Sequence, residues 1–176
     1  MNQKVLLFLL FIATISATGQ ETMSFNGSKP YRATNSWDFI CENYALTGAA
    51  TVQIAKTEKG GILKLTIETT NPAYNIAGIV YVYLTDNIVI TCSDKGIREN
   101  IDNQIVSYYS FSPLEMNKIK TTDIQSIRFN IKGIGSKFNS QTGNFTAVNR
   151  KTYFSTASDK TKKNYDTASE ITALYQ

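Results

Sequence analysis

The chain of 176 residues contains no histidine, so it cannot assemble a Ser-His-Asp or Cys-His nucleophile or an imidazole metal site. What remains for chemistry is a set of carboxylates, two thiols and many aromatic rings. Asp94, Glu99 and Asp102 lie close together in sequence, and two such acids at the right separation could cleave a glycosidic bond. The stretch Asp94-Lys-Gly-Ile-Arg-Glu-Asn-Ile-Asp102 has the flavour of a calcium loop, but lacks the alternating oxygen ligands of an EF-hand. Nothing in the sequence raises the pKa of these acids or closes a pocket over them, so they are weak acid candidates. No phosphate-binding glycine loop of either common type is present. The expectation is no catalytic residue, no cofactor and no metal.

The two cysteines, Cys41 and Cys92, fall in strand-like segments without C-x-x-C spacing. In an exported chain they are a disulfide candidate that would close a loop of about 50 residues and stabilise by about 4 kcal/mol. The alternative is two buried free thiols. Ten tyrosines, nine phenylalanines and one tryptophan supply ring surface. Tyr81, Tyr83, Tyr108, Tyr109 and Trp37 are the candidates for a ligand or partner surface, although strands favour aromatic residues for packing alone.

These residues sit on elements that read as strands. Trp37, Phe39 and Cys41 recur at period two. Thr51 to Ala55 and Ile62 to Glu68 alternate apolar with polar around Gly60-Gly61, the pattern of an antiparallel hairpin with one wet face. Ile79 to Thr85 is apolar on both faces, and a two-residue turn at Asp86-Asn87 would place Tyr83 opposite Ile90 and Tyr81 opposite Cys92. Ile105 to Phe111, Ile124 to Ile131, Phe145 to Val148 and Thr152 to Phe154 continue the series. Ser112-Pro-Leu-Glu115 is a capping box with proline at N1, predicting a helix from Pro113 to about Lys120. Thr167 and Glu170 form a second capping-box pattern, leaving a short docked helix and a disordered tail as alternatives.

The fold expected is mostly β: an antiparallel two-layer β-sandwich of about eight strands, with one short helix between late strands, and a lipocalin-like barrel as the alternative. Residues 1–19 have the charged start, short apolar core and small-residue exit of a signal peptide, too short to span a membrane as a helix. Residues 20–35 read as a loosely ordered entry segment, 36–155 as the β-sandwich domain and 156–176 as a polar tail. Cleavage before Gln20 would make the protein periplasmic or secreted, with no transmembrane segment in the mature chain. The formal net charge of +4 is mild and concentrated towards the end at Arg150, Lys151, Lys160, Lys162 and Lys163. A basic segment outside any recognisable nucleic-acid fold argues for no nucleic-acid partner.

The run from Tyr83 to Gly96, with Tyr108 to Lys120 and Ser126-Ile-Arg-Phe129, resembles small uncharacterised exported proteins of Bacteroidetes-type bacteria. Those proteins likewise join a hairpin to a capped helix and an Ile-Arg-Phe strand. The leader ending in Gly19-Gln20 is similar to theirs, and Asp166-Thr-Ala168 resembles the short O-glycosylation motif of that group. The likeness implies an envelope location and transfers no activity. Together these readings predict an exported, non-catalytic binding protein for an unknown protein or glycan. The alternatives are a carboxylate-based glycoside hydrolase or lyase, and a carrier of an apolar ligand in a barrel interior.

Overall fold

The computed structural model describes residues 21–42, 48–69, 71–133, 140–153 and 163–176. The leader predicted for residues 1–19 lies outside these residues, as does Phe154; Thr152 and Tyr153 of the strand predicted there are described and form no strand. Among the described residues eleven strands and two helices are formed: β1 (Glu21–Met23), β2 (Tyr31–Ala33), β3 (Trp37–Cys41), β4 (Ala49–Thr57), β5 (Gly60–Glu68), β6 (Asn75–Ile76), β7 (Val80–Leu84), β8 (Val89–Ile101), β9 (Gln104–Phe111), α1 (Pro113–Thr121), β10 (Ile124–Lys132), β11 (Gly143–Val148) and α2 (Thr167–Ala173).

Eight of these strands close into an antiparallel barrel, so the barrel alternative holds and the sandwich does not. Around the ring the order is β4, β3, β11, β10, β7, β8, β9, β5, and back to β4 through an eight-pair ladder from Ala50↔Ile67 to Thr57↔Gly60. The closing pairings, β5 with β9 and β3 with β11, join segments far apart in sequence. Local patterning identifies each strand but carries no information on those partners. The order is not the up-and-down meander of lipocalins: the chain crosses one end between β5 and β7 and the other through α1.

Inward positions alternate as the strand period requires. Trp37, Phe39, Leu65, Tyr109, Phe129 and Ile127 are all buried within one core. Eight strands leave an interior just wide enough for side chains to fill, and here side chains fill it. At one end Met116 and Ile119 of α1 and Ile171 of α2 join the same core. At the other, Tyr74 and Ile76 from the crossing segment enter it, held where the Ser107 hydroxyl donates to the Ile76 carbonyl at 3.2 Å. Gly60, at φ +132°, shapes the β4–β5 turn, and a Cβ there would strike the Phe111 carbonyl.

Helix α1 matches its sequence signal. The Ser112 hydroxyl accepts from the Glu115 amide at 3.3 Å, and the Glu115 carboxylate accepts from the Ser112 amide at 2.7 Å. For the C-terminal helix, the cap comes from another segment. Asp123 accepts from the Ala168 amide at 2.9 Å and from the Thr167 hydroxyl at 3.1 Å, an acid at the positive end of the helix. Thr167 is itself fully buried and accepts from the Ile124 amide at 2.8 Å. The motif Asp166-Thr-Ala168 is therefore an internal joint in the folded chain, with its hydroxyl occupied and covered.

The β7–β8 turn corrects the predicted register. Its loop has three residues, Thr85 to Asn87, with the Asn87 amide donating to the Leu84 carbonyl at 3.1 Å and Asn87 itself at φ +67°. One extra loop residue changes every pairing, giving Val80↔Cys92 and Tyr81↔Thr91. Cys92 therefore points into the core instead of lying on the tyrosine face.

The disulfide expectation is likewise corrected. Cys41 and Cys92 are both buried free thiols. They stand on β3 and β8, four strands apart around an eight-strand ring. That is the opposite wall, beyond the roughly 4.4–6.8 Å Cα separation that a disulfide spans.

Candidate functional site

The segment read as a loose entry is an ordered hairpin that crosses the outside of the barrel. Its turn is Asn26-Gly27, both at positive φ (+47° and +70°), with the Ser28 amide donating to the Phe25 carbonyl at 2.9 Å. That is the primed geometry that suits a right-twisted hairpin. β1 and β2 pair in register from Glu21↔Ala33 to Met23↔Tyr31.

A cover is needed because the outward positions of β4, β5 and β9 are apolar here. Ala55, Ile62, Val106 and Tyr108 form a second core with Met23 and Ala33 of this strap, and Phe25, Tyr31 and Ile97 pack around it. One ladder pair, Ala33↔Ala55, attaches the strap to β4. Thr34 extends the join: its amide donates to the Ile54 carbonyl at 2.9 Å, and its hydroxyl accepts from the Ile54 amide at 3.1 Å. Gln53 donates to the Thr34 carbonyl at 2.9 Å and to Glu21 at 2.7 Å.

Between strap, β4–β5 turn and the upper part of β8 lies a cleft of about 340 Å³. Phe25 and Tyr31 stack beside it, 5.9 Å between centroids at 18°, and Ile62 and Ser110 contribute to its lining. Lys29, Lys59, Lys95 and Glu58 supply the charge. Lys29 donates to Glu58 at 2.8 Å, raising the lysine pKa and lowering the glutamate's through that hydrogen bond first. The pair is 69% and 79% exposed, so it shapes the mouth and contributes little to stability. The Lys95 ammonium sits 5.5 Å from the Phe25 ring centre. The arrangement can hold a ligand.

The sequence-predicted acids do not converge. Asp94 receives both terminal nitrogens of Arg98, one at 2.9 Å, and its carboxyl is held below the usual range by that contact first, with the Gly96 amide adding at 2.8 Å. A carboxylate held ionised in this way cannot serve as a general acid near neutral pH. Glu99 accepts from the Tyr108 hydroxyl at 3.0 Å. Asp102 occupies the exposed β8–β9 turn at φ +50°. The acids therefore serve a bulge, a tyrosine and a turn. Among the described residues, no group of three or more His, Cys, Asp or Glu side chains could hold a metal ion.

The aromatic candidates also part company. Trp37 and Tyr109 are core residues, and burial pushes the Tyr109 phenol up to about 12. Tyr108 lies under the strap, its ring 5.1 Å from that of Phe25, with its pKa raised by burial and then by Glu99. Tyr81 and Tyr83 remain half-buried on the outer face of β7, four strands around from β4 and away from the strap, next to exposed Ile79 and Val89. The thiols are unsuited to nucleophilic work: burial pushes Cys41 up to about 12 and Cys92 also upward.

Phe25, Tyr31, Lys29, Lys59 and Lys95 were not among the residues singled out by sequence. The signal that could have found the first three is Asn26-Gly27, a strong hairpin dipeptide, with Met23, Phe25 and Tyr31 around it. Among the described residues, no helix is long and apolar enough to cross a membrane. Compared with known protein families, curated proteins and solved structures, the chain matches none.

Proposed function

We propose that this is an exported, non-catalytic binding protein that recognises its protein or ligand through the outside of the barrel. The observation that carries this reading is the filled interior: Phe39, Leu65, Tyr109 and Phe129 occupy the space an internal carrier would give to its cargo. The outer wall, by contrast, offers the strap cleft and the Tyr81 and Tyr83 face. Dispersal of Asp94, Glu99 and Asp102 weighs against carboxylate hydrolysis or elimination, which needs two acids across one concave site. Export rests on the leader-like residues 1–19.

The test uses the chain from Gln20 onward as bait on envelope and medium fractions, with Lys59→Glu/Lys95→Glu and Tyr81→Ser/Tyr83→Ser variants beside it. Retention of one protein or glycan at fixed stoichiometry, lost in at least one variant pair, is the expected result. Turnover of a glycan or peptide that disappears with Asp94→Asn or Glu99→Gln would overturn the reading.

A further inference from the structure

The strap cleft carries the outer-wall reading, on which this inference rests, to a class of ligand. Among the described residues lining the cleft, Glu58 is the one acid against three lysines, and it is engaged by Lys29. Lys59 on the turn and Lys95 on β8 therefore leave an excess of positive charge. Beside them the Phe25 and Tyr31 rings, stacked on each other, line the cleft. The cleft thus asks for a ligand with an anionic group next to a flat apolar face.

An extended peptide fits this demand poorly. Strand addition needs an unpaired edge; β4, β5 and β9 beneath the cleft are bonded on both sides within the barrel, and β1, whose outer edge is free among the described residues at the end of the sheet order, contributes no residue to the cleft lining. Recognition here must come from side chains. A pyranose ring bearing a carboxylate or sulfate supplies both features, a face of C–H groups for the aromatic rings and a charge for the ammonium groups. At about 340 Å³ the cleft is at the small end of ligand sites, room for about one or two sugar rings.

We infer that the cleft binds an acidic saccharide, with its ring against Phe25 and Tyr31 and its anionic group between Lys59 and Lys95. The Lys29–Glu58 pair stands at the mouth of the cleft.

The purified protein would be titrated, by calorimetry and by amide chemical shifts, with trigalacturonate as the carboxylate probe, a keratan sulfate disaccharide, which bears sulfate and no carboxylate, as the sulfate probe, and neutral maltotriose. At least one acidic probe should bind and move amide signals in residues 25–31 and 58–62. Its affinity should fall about tenfold or more in Lys59→Glu/Lys95→Glu and again between about 0.05 and 0.5 M salt. Lys132→Glu, at the far end of β10, should bind as wild type. Which acidic probe binds distinguishes carboxylate from sulfate. No binding of either, equal binding of maltotriose, or equal loss in Lys132→Glu would overturn the assignment. If the acidic probes fail while the bait experiment still retains a partner, the cleft assignment falls and the outer-wall reading stands.

Discussion

The ring of Phe25 in the strap lies 5.1 Å from the ring of Tyr108 on the barrel wall, tilted by 33°. This contact joins a hairpin with little core of its own to β9, and through the Tyr108 hydroxyl to Glu99 on β8. Phe25 is half-buried, so Phe25→Ala should cost about 1–2 kcal/mol in urea unfolding. Tyr108→Phe, which loses only the hydrogen bond to Glu99, should cost about 1 kcal/mol. Amides of residues 21–33 should exchange faster in Phe25→Ala while those of β5 and β10 keep their protection. Uniform loss across the barrel would mean that the strap is part of the main cooperative unit.

The buried thiols predict a redox-silent protein with an alkaline weakness. A thiol reagent should label Cys41 and Cys92 only after unfolding, and added reductant should leave the melting temperature unchanged. Cys41 has an ordinary value of 9.0 and rises to about 12 in the fold, and Tyr109 goes from 10.0 to about 12. Both groups favour the fold most below their unfolded values. As pH climbs past about 9, the unfolded chain ionises first and stability falls by up to about 1.4 kcal/mol per pH unit per group, until the folded groups ionise too. Cys41→Ala should flatten the dependence of the urea midpoint on pH between about 9 and 11. An unchanged slope would show that Cys41 is accessible to solvent.

Asn87 at φ +67° sets the register that turns Cys92 inward. Asn87→Gly should be neutral or slightly stabilising. Asn87→Val should cost about 1–2 kcal/mol, since a β-branched residue is disfavoured at that backbone angle. Equal stability of the two variants would place residue 87 outside the left-handed region.

Thr167 ties α2 to the barrel through the Ile124 amide and Asp123. Thr167→Val leaves that buried amide without its acceptor and should cost about 1–3 kcal/mol, while Thr167→Ser should cost less. The readout is urea unfolding together with exchange of the α2 amides. A larger cost for Ser than for Val would show that packing of the methyl group, not the hydroxyl's hydrogen bonds, holds α2 in place.

Strands were legible because Val, Ile, Tyr and Phe at period two leave few alternatives, and α1 was legible because Ser112, Pro113 and Glu115 state its start. Closure was not. Whether eight strands make two layers or one ring depends on partners such as Ile67 and Ile105, and their pairing is settled by the closed ring as a whole. Register failed at one point, since Asp86-Asn87 reads equally as a two-residue or a three-residue loop, and the difference of one residue sends Cys92 to the other face. The strap was missed because its cohesion is borrowed: Met23 and Ala33 pack on Ile62 and Val106, so the segment alone reads as polar linker. The cleft shared that fate, since Lys59 and Lys95 become neighbours of Phe25 only once the hairpin lies across the wall.

The account rests on recognition at the outer wall, and the most direct measurement is retention of envelope and medium components by the chain from Gln20 onward, wild type against Lys59→Glu/Lys95→Glu and Tyr81→Ser/Tyr83→Ser. The account predicts a protein or glycan held at fixed stoichiometry by wild type and released by at least one of these outer-wall variants. An apolar small molecule recovered from the folded protein and retained by both variants, or substrate turnover dependent on Asp94 or Glu99, would contradict it.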